Sequence, residues 1–476
     1  MVRVAMMGAG SAGFCRMLVE DILSFPSLRD AHIALMDVDG EKLALVHRAF
    51  EHMKRQNDLT CTFSATTDRR EALRDADFAI SMIQVGGLEP YKIDIEIPLR
   101  YGVDQCVGDT VNPGGIFRGL RHIPALLEMM ETMKEVSKPD IIFMNYANPM
   151  AAVSWAQQKV HPEITSVGLC HGVQHTTHLL EDWLGIERDT TQVLTAGINH
   201  MAWFLRFEHN GENLYDRMWH KLDEEGPIKG EEYRFEMMKA TGFFMTESPG
   251  HLSEYLPYFR KRRDIMDMFN GPGFSGETSA YLNSCIRGHE RYDKQLRAWA
   301  DGTEPVLFRK DFKSVEYAAN IMNAKLTDQP FRFAGNVLNK GFIPNLPYDS
   351  CVEVPTYADR LGLHGSYVGS LPEVCAALCR SNISVQELVV KAAVEGDPEA
   401  VFHACLMDPL TAAVLAPHEI RNMVEEMLDA QAQWLPQFAG ASRSTPGWTI
   451  GRLATGDAGV KSGASVDAEI GHYDRD

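Results

Sequence analysis

Gly8, Gly10 and Gly13 stand at G-x-G-x-x-G spacing, with Ser11 between the last two. They follow Val2 to Met7, which reads as a short buried strand. They precede Phe14, Met17, Leu18, Ile22 and Leu23, whose spacing is helical. In that setting the first glycine permits a tight turn and the second lets a pyrophosphate approach the backbone. The third packs the helix against the sheet, with its N-terminal N–H groups aimed at the phosphates. A second strand, Ala31 to Met36, ends at Asp37, where a carboxylate can bond both ribose hydroxyls. Val38 and Asp39 follow, with no arginine to neutralise a 2′-phosphate, so the pattern predicts NAD(+) rather than NADP.

A second group of polar residues falls where strands are expected to end: Asp109, Asn148, Cys170 and His171, then Asn199 and His200. Ligands of open α/β sheets bind outside the carboxyl ends of the strands. Cys170 and His200 form a thiolate–imidazole pair suited to a divalent transition metal, and two protein ligands leave positions open for substrate oxygens. Taken singly, each has a plainer role: Cys170 as a small core residue, Asn148 as a turn former before Pro149, His200 as a core histidine. His171 is open to three roles, as ligand, substrate contact or acid. Cys375 and Cys379 lie on an apolar helical stretch and read as core.

These residues need a scaffold of alternating strands and helices. Leu59 to Ala65 and Phe78 to Gln84 read as strands, with a short helix from Arg69 to Arg74 between them. Ile116 to Glu135 is a long amphipathic helix, and Asp140 to Asn145 and Ser166 to Leu169 are further strands. The alternation specifies an α/β fold with a mostly parallel, doubly wound sheet. Near Thr191 the pattern changes: Val193 to Phe207 reads as one long strand, and His209-Asn210-Gly211 as a hairpin turn. Mixed α and β follow, with helices near 385–393 and 419–432. The expected organisation is an NAD-binding domain over 1–195, an α+β substrate, metal and oligomerisation domain over 196–439, and a flexible tail over 440–476.

The chain has 476 residues, 46 Lys and Arg against 65 Asp and Glu, and a formal net charge of −19, which argues against nucleic acid or an anionic membrane surface as partner. Nine scattered cysteines predict reduced thiols and a cytoplasmic location. Neither a signal peptide nor a membrane span is expected.

Taken in order, Gly8-Ala9-Gly10-Ser11, Met36-Asp37, Asn148-Pro149, Cys170-His171-Gly172-Val173 and Gly197-Ile198-Asn199-His200 resemble glycoside hydrolase family 4, closest to its bacterial α-galactosidase branch. Gly108-Asp109-Thr110, Pro113-Gly114-Gly115-Ile116, Thr246-Glu247-Ser248, Glu254-Tyr255-Leu256-Pro257, Leu371-Pro372 and Met407-Asp408-Pro409 extend the likeness to about Pro436. The resemblance implies a Rossmann-type sheet of the lactate/malate dehydrogenase kind. It also implies a redox-neutral hydrolysis, an exception among glycosidases. NAD(+) takes a hydride from C3 of the sugar, a base removes the C2 proton, the aglycone leaves with help from an acid, water adds at C1 and the hydride returns.

By the same resemblance Cys170 and His200 hold Mn(2+), Tyr255 is the base, Asp109 is the preferred acid with His171 second, and Asn148 and Asn199 contact substrate. A homodimer or homotetramer is implied. The base requires a lowered tyrosine pKa, which a metal or cationic cluster can provide. One departure stands out: Gly172 replaces the serine of the α-galactosidase branch, a form seen in α-glucuronidase and α-glucosidase relatives. With the run Arg260-Lys261-Arg262-Arg263 just past Tyr255, it leaves open an anionic C6 group on the sugar. The leading expectation is an α-galactosidase. The alternatives are an α-glucuronidase, α-galacturonidase or sulfoquinovosidase, an α-glucosidase, a simple NAD-dependent dehydrogenase, or a non-catalytic dinucleotide sensor.

Overall fold

The computed structural model describes residues 1–309 and 313–439, so the expected tail over 440–476 lies outside the described residues. Six strands form the N-terminal half: β1 (Arg3–Met7), β2 (His32–Met36), β3 (Thr62–Thr66), β4 (Phe78–Ser81), β5 (Ile142–Asn145) and β6 (Thr165–Leu169). They are all parallel, in the order β3-β2-β1-β4-β5-β6. This is the doubly wound order, and the chain reverses direction across the sheet between β1 and β4, where the glycine turn sits. The strands are short and, apart from the edge strand β3, buried on both faces, which explains their near-continuous apolar runs.

The second half adds β7 (Gln192–Ile198), β8 (Met201–His209), β9 (Glu212–Asn213), β10 (Phe331–Leu338), β11 (Cys351–Asp359) and β12 (Gly362–Gly365). β10 pairs antiparallel with β6, and the sheet continues through β11, β7, β8 and β9, with β12 on β11. The stretch expected as one strand from Val193 to Phe207 is instead two antiparallel strands, with Ile198 opposite Met201. The reversal occupies only Asn199 and His200. It is possible because residue 197 is glycine: a Cβ there would lie 2.4 Å from the Met201 carbonyl oxygen. His200 takes a positive φ of 63°. Asn-His is not a usual hairpin dipeptide, so the alternation carries no local sign of the turn.

The long helix begins earlier than its apolar period suggests, at Asn112, and runs to Val136. It packs against the helix Glu373–Glu395, whose Cys375 and Cys379 are fully buried in the core. No helix among the described residues is long and apolar enough to cross a membrane.

Candidate active site

The glycine turn closes as its sequence requires. Gly8 has φ +90°, and a Cβ on it would meet the Met82 and Ile83 backbone at 3.0 Å. Gly10 donates its N–H to Asp37 Oδ2 at 2.7 Å, and a Cβ there would press against that carboxylate. Ser11 lies exposed at the N-cap of the helix Ala12–Ser24. The ring of Tyr292 comes within 3.7 Å of the place a Cβ on Gly13 would occupy. Absent side chains thus leave open a cradle at the carboxyl end of β1, with Asp37 at the end of β2.

Cys170 directly follows β6, and His200 forms the tip of the β7–β8 hairpin. A third donor joins them. The segment Phe244 to Thr246 rides along β8, through Phe204 N–H to the Phe244 carbonyl and Thr246 N–H to the Ala202 carbonyl, and so delivers Glu247 beside His200. Glu247 Oε2 lies 3.5 Å from Cys170 Sγ and 3.4 Å from His200 Nε2, and the three donor atoms all fall within 4.8 Å of one another. Burial, then the nearby His251, pushes His200 down to about 4, so its imidazole is neutral, the form that ligates metal. Burial opposes ionisation of Glu247, yet the charge and hydrogen bond of His251 hold its carboxyl well below the carboxylate range. Cys170 is raised well above the thiol range by burial and by Glu247 and Glu353; a cation there would displace its proton.

His251 links this cluster to the rest of the site. Its Nδ1 is 3.4 Å from Glu247 Oε1, its Nε2 is 3.4 Å from Asp109 Oδ1, and its ring lies 4.2 Å from that of His200. Despite burial, Asp109 and Glu247 raise it to about 10. Asp109 also accepts from Thr110 Oγ1 at 2.7 Å and from Asn148 Nδ2 at 2.8 Å. Burial opposes its ionisation, but His251, Arg118 and Thr110 hold it well below the carboxylate range. With both oxygens occupied and the carboxyl ionised, Asp109 is poorly placed to give up a proton.

His171 is different. Its side chain is 45 % exposed, and Nδ1 bonds Glu316 Oε1 at 3.0 Å, on a carboxylate only 4 % exposed. Burial opposes protonation of His171, but Glu316 raises its pKa above the usual range. The loop that carries Asn148 is fixed from behind: Arg118 Nε donates to the Asn148 carbonyl at 3.2 Å, and His122 Nδ1 lies 2.6 Å from the same oxygen.

Tyr255 ends the short helix Pro249–Tyr255 and is fully buried, with no hydrogen-bond partner on its hydroxyl. Its ring meets that of His200 edge-on at 6.1 Å. Burial, Asp109, Cys170 and Glu247 push its pKa well above that of tyrosine, so the protein's own groups do not supply the expected lowering. Asn199, expected at the substrate, is also fully buried, its amide beside Cys170 and Glu353 with neither amide atom in a hydrogen bond of ordinary length.

The basic run does not act as a unit. Arg260 is 1 % exposed and is consumed by Asp104, Ser253 and the Gly276 carbonyl. Arg262 and Arg263 are exposed and paired to Asp264 and Asp267. Gly172 has a local reason: a Cβ there would stand 2.3 Å from Glu247 Oε2.

A glycine-lined turn at the switch point of a doubly wound sheet, with a buried sulfur–nitrogen–oxygen donor cluster at the same edge, defines a Rossmann-fold enzyme. The chain belongs to the family 4 glycosyl hydrolases: the family model matches residues 3–186, and the model of the family's C-terminal domain matches residues 195–411. It is 41 % identical over 450 residues to an α-galactosidase of Rhizobium meliloti, covering 92 % of this chain and 90 % of that one. It is 38 % identical to an α-galactosidase of Bacillus subtilis, covering 92 % of this chain and all of the other. A 6-phospho-α-glucosidase from gut microorganisms, solved in complex with NAD and Mn2+, superposes with a TM-score of 0.77 at 21 % identity, over 91 % of this chain and 99 % of that one.

Proposed function

We propose that this glycosidase is an NAD(+)- and Mn(2+)-dependent α-galactosidase. The observation that carries the reading is the Cys170–His200–Glu247 cluster, three donors of mixed type gathered around one point at the sheet edge that also holds the glycine cradle. Family membership and the α-galactosidase relatives support the reaction class and the sugar. The cradle left by Gly8 and Gly10 fits a pyrophosphate, and a donor set of one sulfur, one neutral imidazole and one carboxylate fits a divalent transition metal, with Mn(2+) favoured by the relative solved with that ion. When bound, NAD(+) supplies a reversible hydride acceptor for C3 of the sugar and Mn(2+) a Lewis acid for O2 and O3.

The chain's own groups do the rest. Asp37 receives the ribose hydroxyls, with Gly8, Gly10, Ser11 and Gly13 shaping the phosphate site. Cys170, His200 and Glu247 hold the cation. Asn148, fixed by Asp109, presents its amide to a sugar hydroxyl. Tyr255 takes the proton from C2: its hydroxyl is free of any competing bond, and a cation held beside it would offset the carboxylates that raise its pKa. His171, open on one side and bonded to Glu316 on the other, gives a proton to the departing glycosidic oxygen. Asp109 is the group that fixes Asn148 and His251 rather than the acid. Because the arginine run is spent on structural pairs, the pocket's recognition of C6 does not draw on it.

The test is hydrolysis of a nitrophenyl α-galactoside by metal-stripped, cofactor-free enzyme. Activity must return only when NAD(+) and Mn(2+) are both added, with no net gain of absorbance at 340 nm. Steady accumulation of NADH would indicate a dehydrogenase instead, and full activity without either addition would overturn the reading.

A further inference from the structure

Glu353 is a carboxyl group in the middle of a sheet. It is 2 % exposed, and no cation pairs with it among the described residues. A leucine would pack there at far lower cost, so a retained carboxyl needs a reason. The residues in register with it supply one. Across four adjacent strands, Gly168 of β6 lies opposite Asn336 of β10, Asn336 opposite Glu353 of β11, and Glu353 opposite Gly197 of β7. Asn336 Nδ2 donates to the Gly168 carbonyl at 3.2 Å and to Glu353 Oε1 at 3.3 Å. Both ends of the row are glycines that leave no room for a side chain: a Cβ on Gly168 would lie 2.2 Å from Ser154 Oγ and 3.0 Å from Asn336 Cβ, and one on Gly197 would lie 2.4 Å from the Met201 carbonyl oxygen.

Two residues beyond Gly168 is Cys170, and two residues beyond Gly197 is Asn199, followed at once by His200. The row thus ends just short of the two donors contributed by the sheet, and the Glu353 carboxyl lies near enough to Cys170 and Glu247 for their charges to act on one another. Asn199 closes the figure: its buried amide, which makes no hydrogen bond of ordinary length, lies beside both the Glu353 carboxyl and the Cys170 thiol. We infer that Asn336, Glu353 and Asn199 form a polar strut across β6, β10, β11 and β7 that holds Cys170 and His200 at ligating separation and orients the Asn199 amide toward the sulfur. Glu353 is a positioning residue; it touches neither metal nor sugar. Burial, then Glu247, pushes its pKa up to about 8, which suits a neutral group bonded to the Asn336 amide. Groups behind metal ligands tune affinity by this route, and their loss weakens binding on the order of 10–100-fold. The inference rests on the metal site proposed above.

The test uses the full chain loaded with Co(2+), whose thiolate charge-transfer band reports the sulfur–metal bond, alongside Mn(2+) affinity measured by EPR and NAD(+) affinity measured by fluorescence. Glu353→Leu is expected to weaken Mn(2+) binding at least tenfold and to shift or diminish the Co(2+) band, with NAD(+) affinity unchanged. Glu353→Gln, which keeps the size and an acceptor oxygen, is expected to restore both within about threefold. If the leucine variant fails to fold, Asn199→Ala removes the contact to sulfur and is expected to give the same two losses. Wild-type metal affinity and band in Glu353→Leu or Asn199→Ala would overturn the strut, as would a glutamine variant no better than leucine. A wild-type chain that binds neither ion would instead overturn the metal site itself.

Discussion

The Cys170 thiol and the Glu247 carboxylate stand 3.5 Å apart, an approach that depends on glycine at position 172. Glu247 arrives from outside the parallel sheet, with a backbone φ of +75°, and turns its side chain over the first residue of the helix Gly172–Leu184. The departure from the α-galactosidase pattern at 172 is thereby tied to the donor cluster.

Gly172→Ala places a methyl group 2.3 Å from Glu247 Oε2 and must push that carboxylate aside. Mn(2+) affinity, measured by EPR titration, is expected to fall by roughly tenfold, the scale of losing one supporting contact at a metal. Affinity for NAD(+) stays at the wild-type value, because the glycine turn is untouched. Unchanged Mn(2+) binding would remove Glu247 from the ligand set.

Tyr255→Phe removes a buried hydroxyl that has no partner. Thermal stability is expected to hold or rise, by up to about 1 kcal/mol, since an unsatisfied buried polar group is lost. Turnover is expected to fall by about 100-fold or more, the usual contribution of a positioned base. Calorimetry and steady-state kinetics on the same sample separate the two effects, and a variant with near wild-type turnover would exclude Tyr255 as base.

Glu254 carries a pH signature. Burial raises it to about 7, although His251, Arg260 and the Val107 and Gly108 N–H groups oppose the rise. The native state therefore holds a proton that the unfolded chain has already released. Stability attributable to this group is full below about pH 4.5, declines as pH rises, and is gone above about pH 7. Glu254→Gln abolishes that dependence. The difference in unfolding free energy between variant and wild type should shift in the variant's favour by a few kcal/mol from pH 4 to pH 8. A constant difference across that range would show that Glu254 ionises normally.

Arg260 and its neighbours should behave in opposite ways. Arg260→Met leaves Asp104 uncompensated in a buried pair and is expected to cost about 3–5 kcal/mol of stability. Neutralising Lys261, Arg262 and Arg263 together should change stability by less than about 1 kcal/mol and leave kcat/KM within about threefold for neutral and anionic glycosides alike. A large, selective loss on an anionic sugar would return the run to the substrate pocket.

The parallel half of the fold was legible because its signals are local. Apolar runs ending in Gly8, Asp37, Asn148 and Cys170 mark strand ends, and at those ends an open α/β sheet places its chemistry. The antiparallel half was less so, since the turn at Asn199 and His200 depends on room at Gly197 that only the folded neighbour reveals. Glu247, His251 and Glu316 carried no periodic signal as site residues. Glu247 and His251 are spaced i, i+4 around a helix start at Pro249, the one local clue, and Glu316 reaches His171 from 145 residues away. Glu353 was hidden for the opposite reason: its strand reads as ordinary, and only its register with Asn336 and Gly197 gives it meaning.

The most direct measurement follows the hydrogen on C2 of the sugar. With NAD(+) and Mn(2+) present, hydrolysis of an α-galactoside in D2O should yield galactose carrying deuterium at C2, with absorbance at 340 nm flat throughout. Deprotonation by Tyr255 opens the C2 hydrogen to exchange through the tyrosine hydroxyl, and direct displacement at C1 forbids it. Galactose released with its original C2 hydrogen fully retained would contradict the account.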